Sequence, residues 1–150
     1  AICDQRGMTW LEREVVTLGR VRFVGTTLWS DFEAQIRSQD TITRQMQSRD
    51  KAFRAANYYL SKNTTLKFGE PLLAEGIREL SLECQAWLRE ALSKPFDGTT
   101  IAVTHFAPSL LSADPRYGLT PGTSGFCNAL DDLFPLAHIW MHGHLHRMTD

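Results

Sequence analysis

Thr99-Thr100-Ile101-Ala102-Val103-Thr104-His105 and Ala137-His138-Ile139-Trp140-Met141-His142-Gly143-His144-Leu145-His146 are the two stretches whose reading decides the fold of this chain. Each is a short apolar run, and each finishes on histidine. The first follows a long helical stripe and the second follows a short helix signal at about 128–133, so both read as buried strands of an α/β layer. Ligands gather beyond the carboxyl ends of strands in such layers, where His105 and the 142–146 run fall. All five histidines lie between positions 105 and 146.

Working outward, the stripe before Thr99 is Ile77, Leu80, Cys84, Trp87, Leu88, Ala91 and Leu92. It predicts a helix begun at Pro71 and stopped by Pro95, Asp97 and Gly98. A second amphipathic helix is expected from Asp40 to about Leu60, with Ile42, Met46, Phe53, Ala56 and Leu60 inward and Arg44, Arg49, Lys51 and Arg54 on a solvated face. Residues 66–70 read as a polar connection. Toward the amino end, 12–17 and 20–27 are β-branched runs around Leu18-Gly19, a hairpin signal, with Val21, Phe23 and Gly25 on one side. Leu28-Trp29-Ser30-Asp31 breaks that pattern, and Ser30 or Asp31 is expected to cap a short helix. Residues 107–126, rich in Pro and Gly, form a long loop of the kind that is functional or disordered.

With 150 residues, 43% hydrophobic and 22% charged, the chain has the makeup of a single soluble globular domain. A net charge of −1 leaves no nucleic-acid footprint. No apolar run approaches the roughly 20 residues that span a bilayer, so no membrane partner is expected. The first residues lack both an initiator Met and the apolar core of a signal peptide. Cys3, Cys84 and Cys127 are odd in number and without metal-type spacing, which suits free thiols in a reducing cytoplasm, with Cys84 in the core.

A neutral imidazole offers one lone pair to a divalent ion. If the two histidine-tipped strands are neighbours, His105 and His144 share one ion. His144 and His146, two apart, lean to one side in extended chain, whereas on a helix they diverge by about 200°. Gly143 supplies the turn without a Cβ. His138 reads as a core or edge residue, and His142 as a residue behind the ligands or on the substrate side.

Val103-Thr104-His105-Phe106-Ala107-Pro108-Ser109 followed by Trp140-Met141-His142-Gly143-His144-Leu145-His146 resembles the last two motifs of the calcineurin-like metallophosphoesterases, an isolated His after a strand and then Gly-His-x-His. Val21 to Phe32 is similar to a segment of bacterial members. The resemblance is strong over 99–147 and weak over 33–75. It implies a four-layer α/β/β/α sandwich and a dinuclear site of two divalent ions, Mn, Fe or Zn, with His105 and His144 on one ion and His146 on the other. It also implies hydrolysis of a phosphomonoester or phosphodiester substrate by a metal-bridging hydroxide.

The family's Asp-x-His, Gly-Asp-x-x-Asp and Gly-Asn-His motifs do not occur in this sequence. The bridging carboxylate, the Asn ligand and the His that protonates the leaving group are therefore missing, and no catalytic residue is assigned. Because every missing motif lies upstream in family order, the chain is expected to be the carboxyl-terminal half of a longer enzyme, inactive alone. An exposed sheet edge and face would then favour self-association. Phe106 stands where many relatives carry a second His, so the substrate side is expected to differ there, with Tyr117 and Asn128 as further candidates for shaping it. The rival reading is a non-catalytic metal-binding or oligomerising module that kept the fold. A single-zinc site of His142, His144 and His146 is disfavoured, since no acidic residue is placed as general base.

Overall fold

The computed structural model describes residues 2–63 and 66–145, and its class is α/β. A short helix α1 (Ile2–Gln5) precedes the hairpin β1 (Glu14–Leu18) and β2 (Val21–Thr26). Two long helices follow, α2 (Ile42–Asn63) and α3 (Ala74–Ser93), separated by the small hairpin β3 (Leu66–Lys67) and β4 (Glu70–Pro71). Next comes β5 (Thr99–Thr104), then three 3₁₀ segments at Leu110–Ser112, Pro121–Gly125 and Asp131–Leu136, and finally β6 (Ile139–His142). The main sheet has the order β1-β2-β5-β6, with β2, β5 and β6 parallel and β1 antiparallel at one edge. Parallel neighbours need a crossover, and α2 and α3 supply the one between β2 and β5.

Register decides which side each residue serves. Val15, Val24, Ala102 and Trp140 stand in one cross-strand row. Against that side α3 lays Leu88, Ala91 and Leu92, forming the main buried cluster with Val24 and Ala102. The next row, Val16, Phe23, Ile101 and Ile139, faces the other way, with Leu18, Val103 and Met141 beside it. Neither long helix contributes to that side. Leu18 is 64% exposed, Ile139 50% and Met141 55%.

The expectation of two fully buried strands is therefore corrected. Thr100, Ala102 and Thr104 are buried while Thr99, Ile101 and Val103 are only partly so, because elements of the described chain cover one side alone. Val21 and Phe23 share the open side with Gly25, and Gly25 alone of these is buried, since Leu11 closes over it.

Other departures have local causes. No helix forms at Ser30 or Asp31; their side chains instead accept from Phe32 N at 3.2 Å and Glu33 N at 2.8 Å, closing turns in place of a helix. Pro71 belongs to β4, paired with Leu66, and the third helix begins at Ala74. That boundary is set from a distance, because Asn57 Oδ1 on α2 accepts Ala74 N at 2.8 Å where Leu73 offers no side-chain cap. The helix expected at 128–133 is a 3₁₀ segment at 131–136 with Pro135 inside it. The loop 107–126 is tied down by two 3₁₀ turns and by Ser109, which donates to Asp131 at 2.7 Å.

Helix α2 is less inward than its periodicity predicts, since Ile42 is 76% and Met46 52% exposed and only Ala52 is fully buried. Nor is Arg49 on a solvated face: it and Arg78 each donate to Glu33 Oε1 at 2.7 Å. Burial alone would raise the Glu33 pKa, but the two guanidiniums hold it below the ordinary carboxylate value. A depressed folded pKa stabilises above the unfolded value of about 4.3 and loses that contribution as pH falls through the folded one. The melting temperature of Glu33→Gln is accordingly expected below the parent's at pH 7 and to converge on it as pH falls through the lowered folded value; parallel curves would show that Glu33 carries no folding linkage.

Candidate functional site

The site is built by the main chain at the carboxyl ends of three parallel strands. Past β2, Phe106 N donates to Thr27 O at 3.2 Å, and past β6, Gly143 N donates to His105 O at 3.1 Å. The ladder thus continues one step beyond the strands and sets His144 against His105. Their rings approach edge to face, with centroids 4.9 Å apart and planes at 75°. His144 Nδ1 and His105 Nε2 are 3.1 Å apart. That is hydrogen-bond distance, with donor and acceptor set by the tautomers of the two rings.

The sharp turn falls on His144, at φ 65°, and not on Gly143 as the sequence predicts. A Cβ at Gly143 would lie 3.4 Å from His105 Nδ1, in van der Waals contact with that ring.

Aromatic rings hold the pair. Phe106, buried, stacks on His144 at 4.1 Å and 23° and meets His105 edge-on at 5.5 Å. Phe126 leans on His144 at 5.3 Å, its plane tilted by 33°. It is brought there by Ala107 N, which donates to Phe126 O at 3.3 Å. Phe126 is missed by sequence reading, since nothing in the Pro- and Gly-rich stretch distinguishes it.

The remaining candidates are placed elsewhere. His142 faces the side of the sheet that α3 covers, with Nε2 2.9 Å from Ser112 Oγ. His138 Nδ1 accepts Thr100 N at 3.0 Å and so extends the β5–β6 ladder. Tyr117 is 73% exposed, with the Arg116 guanidinium 5.6 Å above its ring, and lines neither cavity beside the pair. His146 lies outside the described residues. Asn128 is fully buried and ties segments together rather than lining the site.

Beside His105 a cavity of about 250 Å³ is lined by Trp10, Leu11, Glu12 and Thr27 among others. Glu12 is its one carboxylate. Burial raises the Glu12 pKa, yet hydrogen bonds from Thr27 and Thr26 overcome that and hold it low. With both oxygens engaged by those threonines, Glu12 is an anchor for the amino-terminal segment and not a free donor.

Among the described residues no group of three or more His, Cys, Asp or Glu is gathered for an ion. The three cysteines are free thiols, and burial pushes the Cys127 thiol up to about 11, so it is no thiolate at neutral pH. Two imidazoles remain. Metal–nitrogen bonds of about 2.0–2.1 Å at tetrahedral or octahedral angles put two such donors about 2.9–3.4 Å apart, a range that contains the 3.1 Å observed. That spacing is compatible with two donors to one ion, as it is with the hydrogen bond between them. Comparison of the chain with family models, curated proteins and solved structures finds no match. No described helix is long and apolar enough to cross a membrane.

Proposed function

We propose that this chain is part of a metal-dependent phosphoester hydrolase of the calcineurin-like kind, working in the cytoplasm, in which His105 and His144 hold one divalent ion and His146 a second. The observation that carries this reading is the 3.1 Å separation of two imidazole nitrogens at the carboxyl ends of neighbouring parallel strands. The open side of the sheet supports it too, because a four-layer sandwich covers such a side with a second sheet. The ions, Mn, Fe or Zn, would supply Lewis acidity and charge neutralisation at the phosphoryl group. This chain's own part is to orient the imidazoles, through the Gly143–His105 backbone bond and the Phe106 stack, and to exclude water on that flank. Carboxylate ligands would come from residues other than those gathered here.

A second reading, a metal-binding or oligomerising module without turnover, is favoured by the same uncovered side and by the absence of a three-ligand group among the described residues. Turnover separates the two. The protein expressed from its whole coding sequence is expected to hydrolyse p-nitrophenyl phosphate or its bis-ester with added Mn²⁺ and to stop in EDTA. No turnover with Mn²⁺, Fe²⁺ or Zn²⁺ would sink the hydrolase reading in favour of the module.

A further inference from the structure

The His144 ring that pairs with His105 also forms part of the wall of a second cavity, of about 220 Å³. Its other walls come from distant segments: Phe32 after β2, Tyr59 and Leu60 on α2, Ile77 on α3 and Phe126 from the 107–126 loop. No charged side chain lines it. Tyr59 is 67% and Phe126 47% exposed, so the cavity is reached from solvent past two aromatic rings. An apolar cavity of about 150 Å³ already holds benzene, so this one has room for a substituted or fused ring.

A phosphoryl group cannot itself lie within such walls, since burying a charge without donors or counter-charge is costly. Two polar rings line it, Tyr59, 67% exposed at the mouth, and His144, whose Nδ1 is turned to His105. We propose that this cavity binds the apolar organic part of the substrate, an aryl or compact branched alkyl group, and leaves its phosphoryl end at the His105–His144 pair. The ligand class follows from the walls; that the ligand is a phosphoester rests on the hydrolase reading. A mainly apolar cleft with a few convergent polar groups at one end is the usual form of a small-molecule site. Phe32 after β2, Leu60 on α2 and Phe126 just past the 121–125 turn would then be determinants of specificity that touch no reacting atom.

The test titrates 1-naphthol, 1-naphthyl phosphate and inorganic phosphate into the intact protein and follows the methyl NMR signals of Leu60 and Ile77. Both naphthyl compounds are expected to shift them, and inorganic phosphate is not. Two variants fill the space from different walls. Ala55→Phe does so from α2, and Gly125→Leu from the loop, where a Cβ lies 3.5 Å from Phe32 Cε1. Each is expected to weaken 1-naphthol binding tenfold or more while the amide spectrum stays dispersed. Absent methyl shifts, or unchanged affinity in a well-folded Ala55→Phe protein, would overturn the proposal. Broadening of the His105 and His144 ring signals by Mn²⁺ reports separately on the metal. If that broadening is absent while naphthol still shifts the methyls, the hydrolase reading falls and the apolar site stands.

Discussion

Replacing Asn128 by Leu is expected to lower the melting temperature of the protein by roughly 6–12 °C, following from a loss of about 3 kcal/mol at about 2–4 °C per kcal/mol for a chain of this length. Asn128 is fully buried and its amide serves both as donor and acceptor. Nδ2 donates to Trp29 O at 2.8 Å and to Ala107 O at 3.3 Å, while Oδ1 accepts Asp31 N at 3.3 Å and Gln85 Nε2 at 3.2 Å. Three other segments, 29–31, α3 at Gln85 and the chain at Ala107, are therefore tied to one side chain. Leucine is close in volume, so the cavity cost is small and the loss comes from buried groups left unpaired. Asn128→Asp tests the sign of the charge: it keeps an acceptor but sets a second carboxylate beside Asp31, and a larger loss is expected at pH 7 than at pH 4. Thermal unfolding followed by circular dichroism measures both, and a melting temperature of Asn128→Leu within about 2 °C of the parent would remove Asn128 from its place as a tie.

Removing either member of the histidine pair is expected to abolish turnover to at least about a hundredfold, since even residues behind metal ligands cost about 10–100-fold when lost. His105→Ala and His144→Ala should behave alike, because each leaves a single imidazole where two nitrogens stood 3.1 Å apart. His138→Ala is the control. Its Nδ1 is occupied by Thr100 N, and turnover is expected within about threefold of the parent for a residue whose role is in the ladder. Isothermal titration with Mn²⁺ reads the same contrast without turnover. Equal Mn²⁺ affinity in the parent and in His144→Ala would remove His144 from the ligand set.

The strands and the α3 stripe were legible because short β-branched runs and helical spacing are local properties, as Thr99–Thr104 and Ile77–Leu92 show. The meeting of His105 with His144 was legible for the same reason, given two histidine-tipped strands that turn out to be neighbours. What could not be read is whatever a distant partner decides. Arg49 looked solvated because Glu33, its partner, lies in another segment, and the start of α3 looked like Pro71 because Asn57 had not yet been placed. The apolar cavity is of this kind too, since Phe32, Ile77 and Phe126 share no local pattern. One-sided burial of the sheet was hidden in the sequence as well, because Ile101, Val103, Ile139 and Met141 are apolar whether or not anything covers them.

The parallel pairing of β2 with β5 joins residues 78 apart, as Arg22 and Thr100 are, and the histidines meet across 39. Closing loops of that length precedes any reward from the contacts they bring, and chains dominated by distant pairings fold in milliseconds to seconds. The two imidazoles meet only where β5 and β6 are paired, a contact that closes a loop of 39 residues. On the proposed hydrolase reading, metal capture by the pair would wait until β5 and β6 lie side by side.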